Sequence, residues 1–175
     1  FSNGTSLESI AILGDVVTID HNICEGCSSL TYVGLPDSVL YIGNDAFKGC
    51  SSLTDIDLPA NLQQIGGNAF ADCRSLRNMT IPENVENIFS FAFYNCSDLS
   101  NITIPESVTS VGAGAFTLCT SLTKITIPAS VPRIEHSLFN LCSSLTGVTI
   151  PSGVTYIGNG AFGNCSNLSS ITLPN

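Results

Sequence analysis

The sequence contains no Trp, one Met, two His and only five Lys and Arg in 175 residues. Each shortage removes a class of function. A nucleic-acid backbone is gripped by clustered Lys and Arg. Here Lys48, Arg74, Arg77, Lys124 and Arg133 are scattered through a chain of net charge −9. The fourteen acids are skewed, with eleven of them in residues 1–87. No apolar run approaches the ~20 residues that a membrane-spanning helix needs. The lack of Trp weakens the case for a carbohydrate-binding or hydrolytic module, and no carboxylate pair is placed by a cleft.

What is abundant is order. From Leu7 onward the chain repeats every 23 residues without a gap. Leu opens each unit, as in Leu30, Leu53 and Leu76. Three residues on comes an aliphatic or Met, as in Val33, Ile56 and Met79. Pro follows at Pro36, Pro59 and Pro82, then Val39, Leu62 and Val85, then Ile42, Ile65 and Ile88. Phe recurs from Phe47 to Phe162, and Cys closes the unit from Cys27 to Cys165. A fixed period of 20 to 50 residues signals a solenoid, in which units too short to bury their own apolar face stack on their neighbours. The repeats run 7–29, 30–52, 53–75, 76–98, 99–121, 122–144 and 145–167, with a partial unit at 168–175. Residues 1–175 therefore read as one domain. Phe1 follows no Met and the chain stops inside a unit, so the sequence is expected to be part of a longer protein.

Leu30–Leu35 ends in period-2 alternation and reads as a short strand, with Val33 and Leu35 on one side and Tyr32 and Gly34 on the other. Pro36 has no N–H and ends it. Val39–Gly43 reads as a second extended segment. Gly43, Gly66, Gly112 and Gly158 recur after it, as a bend with positive φ would require. Asn44–Cys50 is expected to form one turn of helix. Equivalent residues then stack by identity, which predicts a continuous spine of Phe rings.

Eight Cys in this length suggest disulfides, a zinc site or a core column. Cys24 and Cys27 form a C-x-x-C, but Cys24 lies where other units carry Phe, and no second C-x-x-C completes a zinc site. The column reads as buried free thiols acting as small apolar residues. Adjacent coils lie close enough for neighbouring thiols to bridge, so the count does not reveal a redox compartment. His21 and His136 are five units apart and cannot meet, so no triad forms around Ser137 or any Cys. No catalytic, cofactor-binding or metal-ligating residue is assigned.

The unit L-x-x-[IV]-x-[IL]-P-x-x-V-x-x-I-G-x-x-A-F-x-x-C resembles the 23-residue leucine-rich repeat of the bacterial surface antigen (BspA-like) type. The resemblance covers residues 7–175. It implies a right-handed leucine-rich-repeat horseshoe with short parallel strands on the concave face. It also implies an extracellular or cell-surface location and adhesion to a protein, such as a host surface or matrix protein, or to a glycan. It carries over no catalytic residues and no ligand.

Function is then expected where units differ on an exposed face. The outward columns place Tyr32, Asp55, Asn78, Asn101 and Lys124 in one row and Asp57 in the next, with Arg77 beside them. Thr80, Thr103, Thr126 and Thr149 suggest a ladder of bonded hydroxyls. Asp55 and Asp57, with Asp37 a coil earlier, form either a cation site or a solvated acidic face. The fourth unit adds Phe89, Phe91 and Tyr94, either as an exposed contact site or as local repacking over a missing Gly. Leu138 replaces a small Ala and is expected to bulge the core. The leading reading is a non-catalytic adhesion scaffold. A structural spacer is the alternative, and self-association through open solenoid ends is a further expectation.

Overall fold

The computed structural model describes residues 1–173, so Pro174 and Asn175 of the partial unit lie outside the described residues. Thirteen short strands, numbered in chain order, fall into two series. The first comprises β1 (Ser9–Ala11), β3 (Tyr32–Gly34), β6 (Asn78–Thr80), β8 (Asn101–Thr103), β10 (Lys124–Thr126) and β12 (Gly147–Thr149). The second comprises β2 (Thr18–Ile19), β4 (Tyr41–Ile42), β5 (Gln64–Ile65), β7 (Asn87–Ile88), β9 (Ser110–Val111), β11 (Arg133–Ile134) and β13 (Tyr156–Ile157). Every pairing is parallel and offset by one unit, as in Ile10↔Val33 and Ile42↔Ile65. The fold is a solenoid, one coil per repeat.

The alternation acts as expected in the first series. In β6, β8 and β10 the middle residue is buried and its two neighbours are exposed. From the second coil on, the Pro carbonyl at the corner accepts the N–H three residues on, as in Val39 to Pro36 at 3.1 Å. That bond turns the chain into the second series.

The second series is the more continuous sheet: β2, β4, β5, β7 and β9 form one five-stranded ladder. The first series is broken into pairs, β1–β3, β6–β8 and β10–β12. The third coil contributes no first-series strand at 53–58, and the eighth contributes none at 168–173.

The predicted helical turn at 44–50 is absent; that stretch is a run of turns. Its N–H groups are committed elsewhere. Asp45, Phe47 and Gly49 donate across to the carbonyls of Gly67, Ala69 and Ala71 at 2.8, 2.8 and 2.7 Å. A helix would have to keep those bonds inside the segment. The alternation works because Asp45 and Gly49 hold φ of +55° and +75°. Gly, Asn and Asp fill most equivalents of these two positions, as the left-handed region favours. Phe91, Leu118 and Leu141 hold φ of +59°, +65° and +63° there.

The recurring Gly43, Gly66, Gly112 and Gly158 do not take positive φ. Their reason is close approach. A Cβ on Gly66 would lie 2.6 Å from the carbonyl carbon of Gly43 in the coil before.

The spine forms as expected. Phe47, Phe70, Phe93, Phe116, Phe139 and Phe162 stack with centroids 5.4–5.6 Å apart and planes within 15°. Leu138 is buried, yet the rings beside it keep spacings of 5.5 and 5.6 Å, so it does not distort the spine. All eight Cys are free and buried. Each repeat thiol also donates to a carbonyl of the preceding coil, as Cys73 does to Phe47 O at 3.2 Å and Cys96 to Phe70 O at 3.1 Å. The same Phe47 carbonyl accepts the Cys50 N–H, so both its lone pairs are used. A small apolar side chain with a weak donor suits this place.

Candidate functional site

The exposed first-series face carries the residues expected from the variable columns. Tyr32 is the most open of its aromatics, at 59 % exposure. Asn101 Nδ2 donates to Asn78 Oδ1 at 3.3 Å, which ties the two coils side by side. The Thr column is different. Thr80, Thr103, Thr126 and Thr149 are exposed, and among the described residues no hydrogen bond joins their hydroxyls. The hydroxyls that do bond across coils come from other columns, such as Thr146 to Thr123 O at 3.1 Å.

Asp55 and Asp57 fall in the third coil, where the ladder is open. Asp is depleted in strands, and its side chain competes for local hydrogen bonds; Asp55 Oδ2 accepts the Thr54 hydroxyl at 3.1 Å. Among the described residues, one backbone bond links 53–58 to a neighbouring coil, Arg77 N–H to Thr54 O at 3.1 Å. The opened seam forms a cavity of 770 Å³ lined by Asp55, Asp57, Asn78 and Glu83. Asp37 is not part of it; Glu83 is. Glu83 follows Pro82 at the strand corner, the same unit position that Asp37 holds after Pro36. A second cavity of 450 Å³ lies where β8 and β10 fail to pair, bordered by Glu83, Glu106 and Lys124. Among the described residues, no group of three or more His, Cys, Asp or Glu side chains is placed to hold a metal ion. Arg77 and Lys124 form no ion pair among the described residues, whereas Lys48 bridges Glu25 at 3.3 Å and Asp45 at 3.1 Å on the turn side.

The aromatic departures of the fourth coil do not join this face. Phe91 and Tyr94 meet edge to face at 6.0 Å. The Phe91 ring covers Gly114 in the next coil, where an added Cβ would collide with it. Phe89 stands apart, 47 % exposed, beside the five-stranded ladder. Phe91 thus packs over the following coil and yet stays 42 % exposed, so both Phe89 and Phe91 present ring surface to solvent.

The two histidines do the same job in their coils. His21 Nδ1 accepts the Asn44 N–H at 2.8 Å, and His136 Nδ1 accepts the Asn159 N–H at 2.9 Å. The acceptor role fixes the proton on Nε2. In His136 that nitrogen meets Tyr156 Oη at 2.9 Å, and Arg133 lies 3.8 Å over the Tyr156 ring. The sequence offered one signal for this group, the departures at Arg133–His136.

Burial, then the neighbouring thiols, pushes Cys50 up to about 12, and burial and Cys165 do the same to Cys142. Cys24, in the C-x-x-C, is raised to about 11, first by burial and then by Cys27. A reactive thiol needs the opposite shift.

The repeat, the parallel ladders and the thiol–carbonyl column meet in one family model, the BspA type leucine rich repeat region, which matches residues 1–117 and 64–175. The chain belongs to the BspA-type leucine-rich repeat family. No curated protein matches the sequence. Among solved structures, a leucine-rich repeat protein of T. pallidum is 33% identical with a TM-score of 0.88, over 92% of this chain and 78% of that one. A leucine rich cell surface protein of Faecalibacterium prausnitzii is 31% identical with a TM-score of 0.59, over 93% of this chain and 52% of that one. A leucine-rich repeat protein of Bacteroides ovatus, 24% identical with a TM-score of 0.53 over 99% of this chain and 62% of that one, shares the fold. No helix of the described residues is long and apolar enough to cross a membrane. The BspA-type array is thus a repeat scaffold, with the exposed columns and their two cavities as its variable part.

Proposed function

We propose that this BspA-type array is a non-catalytic adhesion scaffold displayed outside the cell, binding a protein partner through its first-series face. The observation that supports it is the opened seam at Asp55 and Asp57. There the missing strand of the third coil leaves a 770 Å³ groove bordered by Asp55, Asp57 and Glu83, with Tyr32, Asn78 and Arg77 on adjoining coils. Pockets of this size bury a few partner side chains, and an exposed Tyr and Arg are residue types that anchor protein interfaces. Asn101 and Lys124 extend the surface along the axis. The cell-surface relative in Faecalibacterium prausnitzii supports the location.

The test is a variant with Tyr32, Asp55, Arg77 and Lys124 all changed to Ala, compared with the parent on immobilised fibronectin, laminin and collagen. The expected result is saturable binding of the parent to at least one of these and a loss of about tenfold or more in the variant, a change of ~1.4 kcal/mol. Equal binding by both chains would move the function off this face, and no binding by the parent would favour a spacer.

A further inference from the structure

The five-stranded side of the solenoid carries a groove of its own, of 380 Å³, running over the first four coils. Its floor is Gly43 and Gly66, which the close coil-to-coil approach keeps free of side chains. Tyr41 borders it in the second coil and Phe89 in the fourth. At strand spacings of about 4.8 Å, the two rings lie roughly 10 Å apart along the axis.

Polar groups line the groove beside the rings, Asp20 and His21 in the first coil, Asn44 in the second and Gln64 in the third; three of them are each held by one bond and have another valence unused. His21 Nδ1 is occupied by the Asn44 N–H, so Nε2–H is available as a donor. Asn44 Oδ1 accepts the Gly67 N–H at 2.7 Å, which leaves the amide NH₂. Asp20 Oδ1 accepts the His21 N–H at 2.7 Å, which leaves its second oxygen. The Gln64 side chain makes no hydrogen bond among the described residues and offers both a donor and an acceptor.

We propose that this groove is a binding site for a short neutral oligosaccharide. A sugar ring presents apolar faces that pack on aromatic rings and a rim of hydroxyls that both donate and accept. Tyr41 and Phe89 supply the rings, and Asp20, His21, Asn44 and Gln64 supply the matching polar groups. Bonds to backbone hold three of those four in place before a ligand arrives, which lowers the ordering cost of binding. Other ligand classes fit worse. A phosphate would meet Asp20 in a chain of net charge −9, against its own charge. A purely apolar ligand would leave the polar groups unpaired. An extended peptide needs a free strand edge, and the β2–β4–β5–β7–β9 ladder is unbroken here. The site lies apart from the first-series face and does not depend on the protein-binding role proposed for it.

The test is titration of the ¹⁵N-labelled chain with cellotriose, maltotriose and chitotriose in turn, followed by amide shifts. The expected result is saturable shifts at the Gly43, Gln64 and Gly66 amides with at least one sugar. Phe89→Ala and Gln64→Ala should each weaken that binding about tenfold, the factor ~1.4 kcal/mol corresponds to, while Tyr32→Ala on the other face leaves it unchanged. Gln64→Ala decides the matter if Phe89→Ala fails to fold. Absence of saturable shifts with all the sugars, or an affinity untouched by Gln64→Ala in a folded chain, overturns the proposal.

Discussion

At the scale of single residues, the Cys column shows how one side chain meets two demands. The position is fully enclosed, so it needs a small apolar group, and it faces a Phe carbonyl of the coil before, so a weak donor gains a bond. The same enclosure gives the thiols a pH signature. Their neutral form is favoured in the folded chain, with Cys50 and Cys142 pushed up to about 12 from an ordinary value near 9. The folded state therefore holds protons that the unfolded state releases, and stability falls as pH rises between those values. This contribution is complete below about pH 9 and lost toward pH 12. Urea melts at pH 7.5 and pH 10.5 should show a lower midpoint at the higher pH, and the difference should shrink in Cys50→Ala. A pH-independent difference between the two chains would contradict the account.

Elements of two or three residues are stable here only because they stack. The glycine column makes the clearest case. Gly66→Ala places a Cβ against the backbone of Gly43 and Asn44 at 2.6–2.7 Å, and backbone cannot step aside as a flexible side chain can. The expected cost is about 1–3 kcal/mol. Gly147→Ala in β12 meets only Lys124 Cγ at 3.8 Å, so it should be neutral or slightly stabilising. Denaturant midpoints of the two variants check this, and similar losses at both would argue against close approach as the cause.

This scale is also where the sequence was least legible. Asn44–Asp45–Ala46–Phe47 has the look of a helical turn, because its Ala and Phe face inward in either conformation. What excludes a helix is the set of carbonyls in the next coil, 22 residues ahead of each donor, as from Asp45 to Gly67. Local pattern contains no trace of those acceptors. The same holds for Gly43 and its equivalents: repetition marks a glycine as required without saying whether φ or a neighbouring backbone requires it. The opened seam at Asp55 and Asp57 was half legible. The two acids stood out in their columns, but their partner across the groove, Glu83, lies in the following unit rather than in the preceding one that supplies Asp37.

Across the whole molecule, stability follows a line. Phe93 packs between Phe70 and Phe116 and is fully buried. Phe162 stacks on Phe139 alone and is only partly buried. Phe93→Ala should cost ~3–5 kcal/mol, and Phe162→Ala distinctly less, because it removes fewer packed neighbours. Equal shifts in chemical melts would count against a one-dimensional array. The stacked spine also fixes the spacing of every surface column, so the grooves inherit their geometry from it.

The sequence alone determined the period, the coil, the Phe spine and the burial of the thiols, because each of these follows from identical residues returning every 23 positions and stacking on themselves. The tertiary structure decided which of the two strand series forms the continuous ladder, where the other one opens, and which departures from the repeat meet one another. Those outcomes depend on non-identical residues of different coils, Asp57 and Glu83 lining one cavity and Tyr41 and Phe89 another, and such residues share a surface only when the coils are stacked.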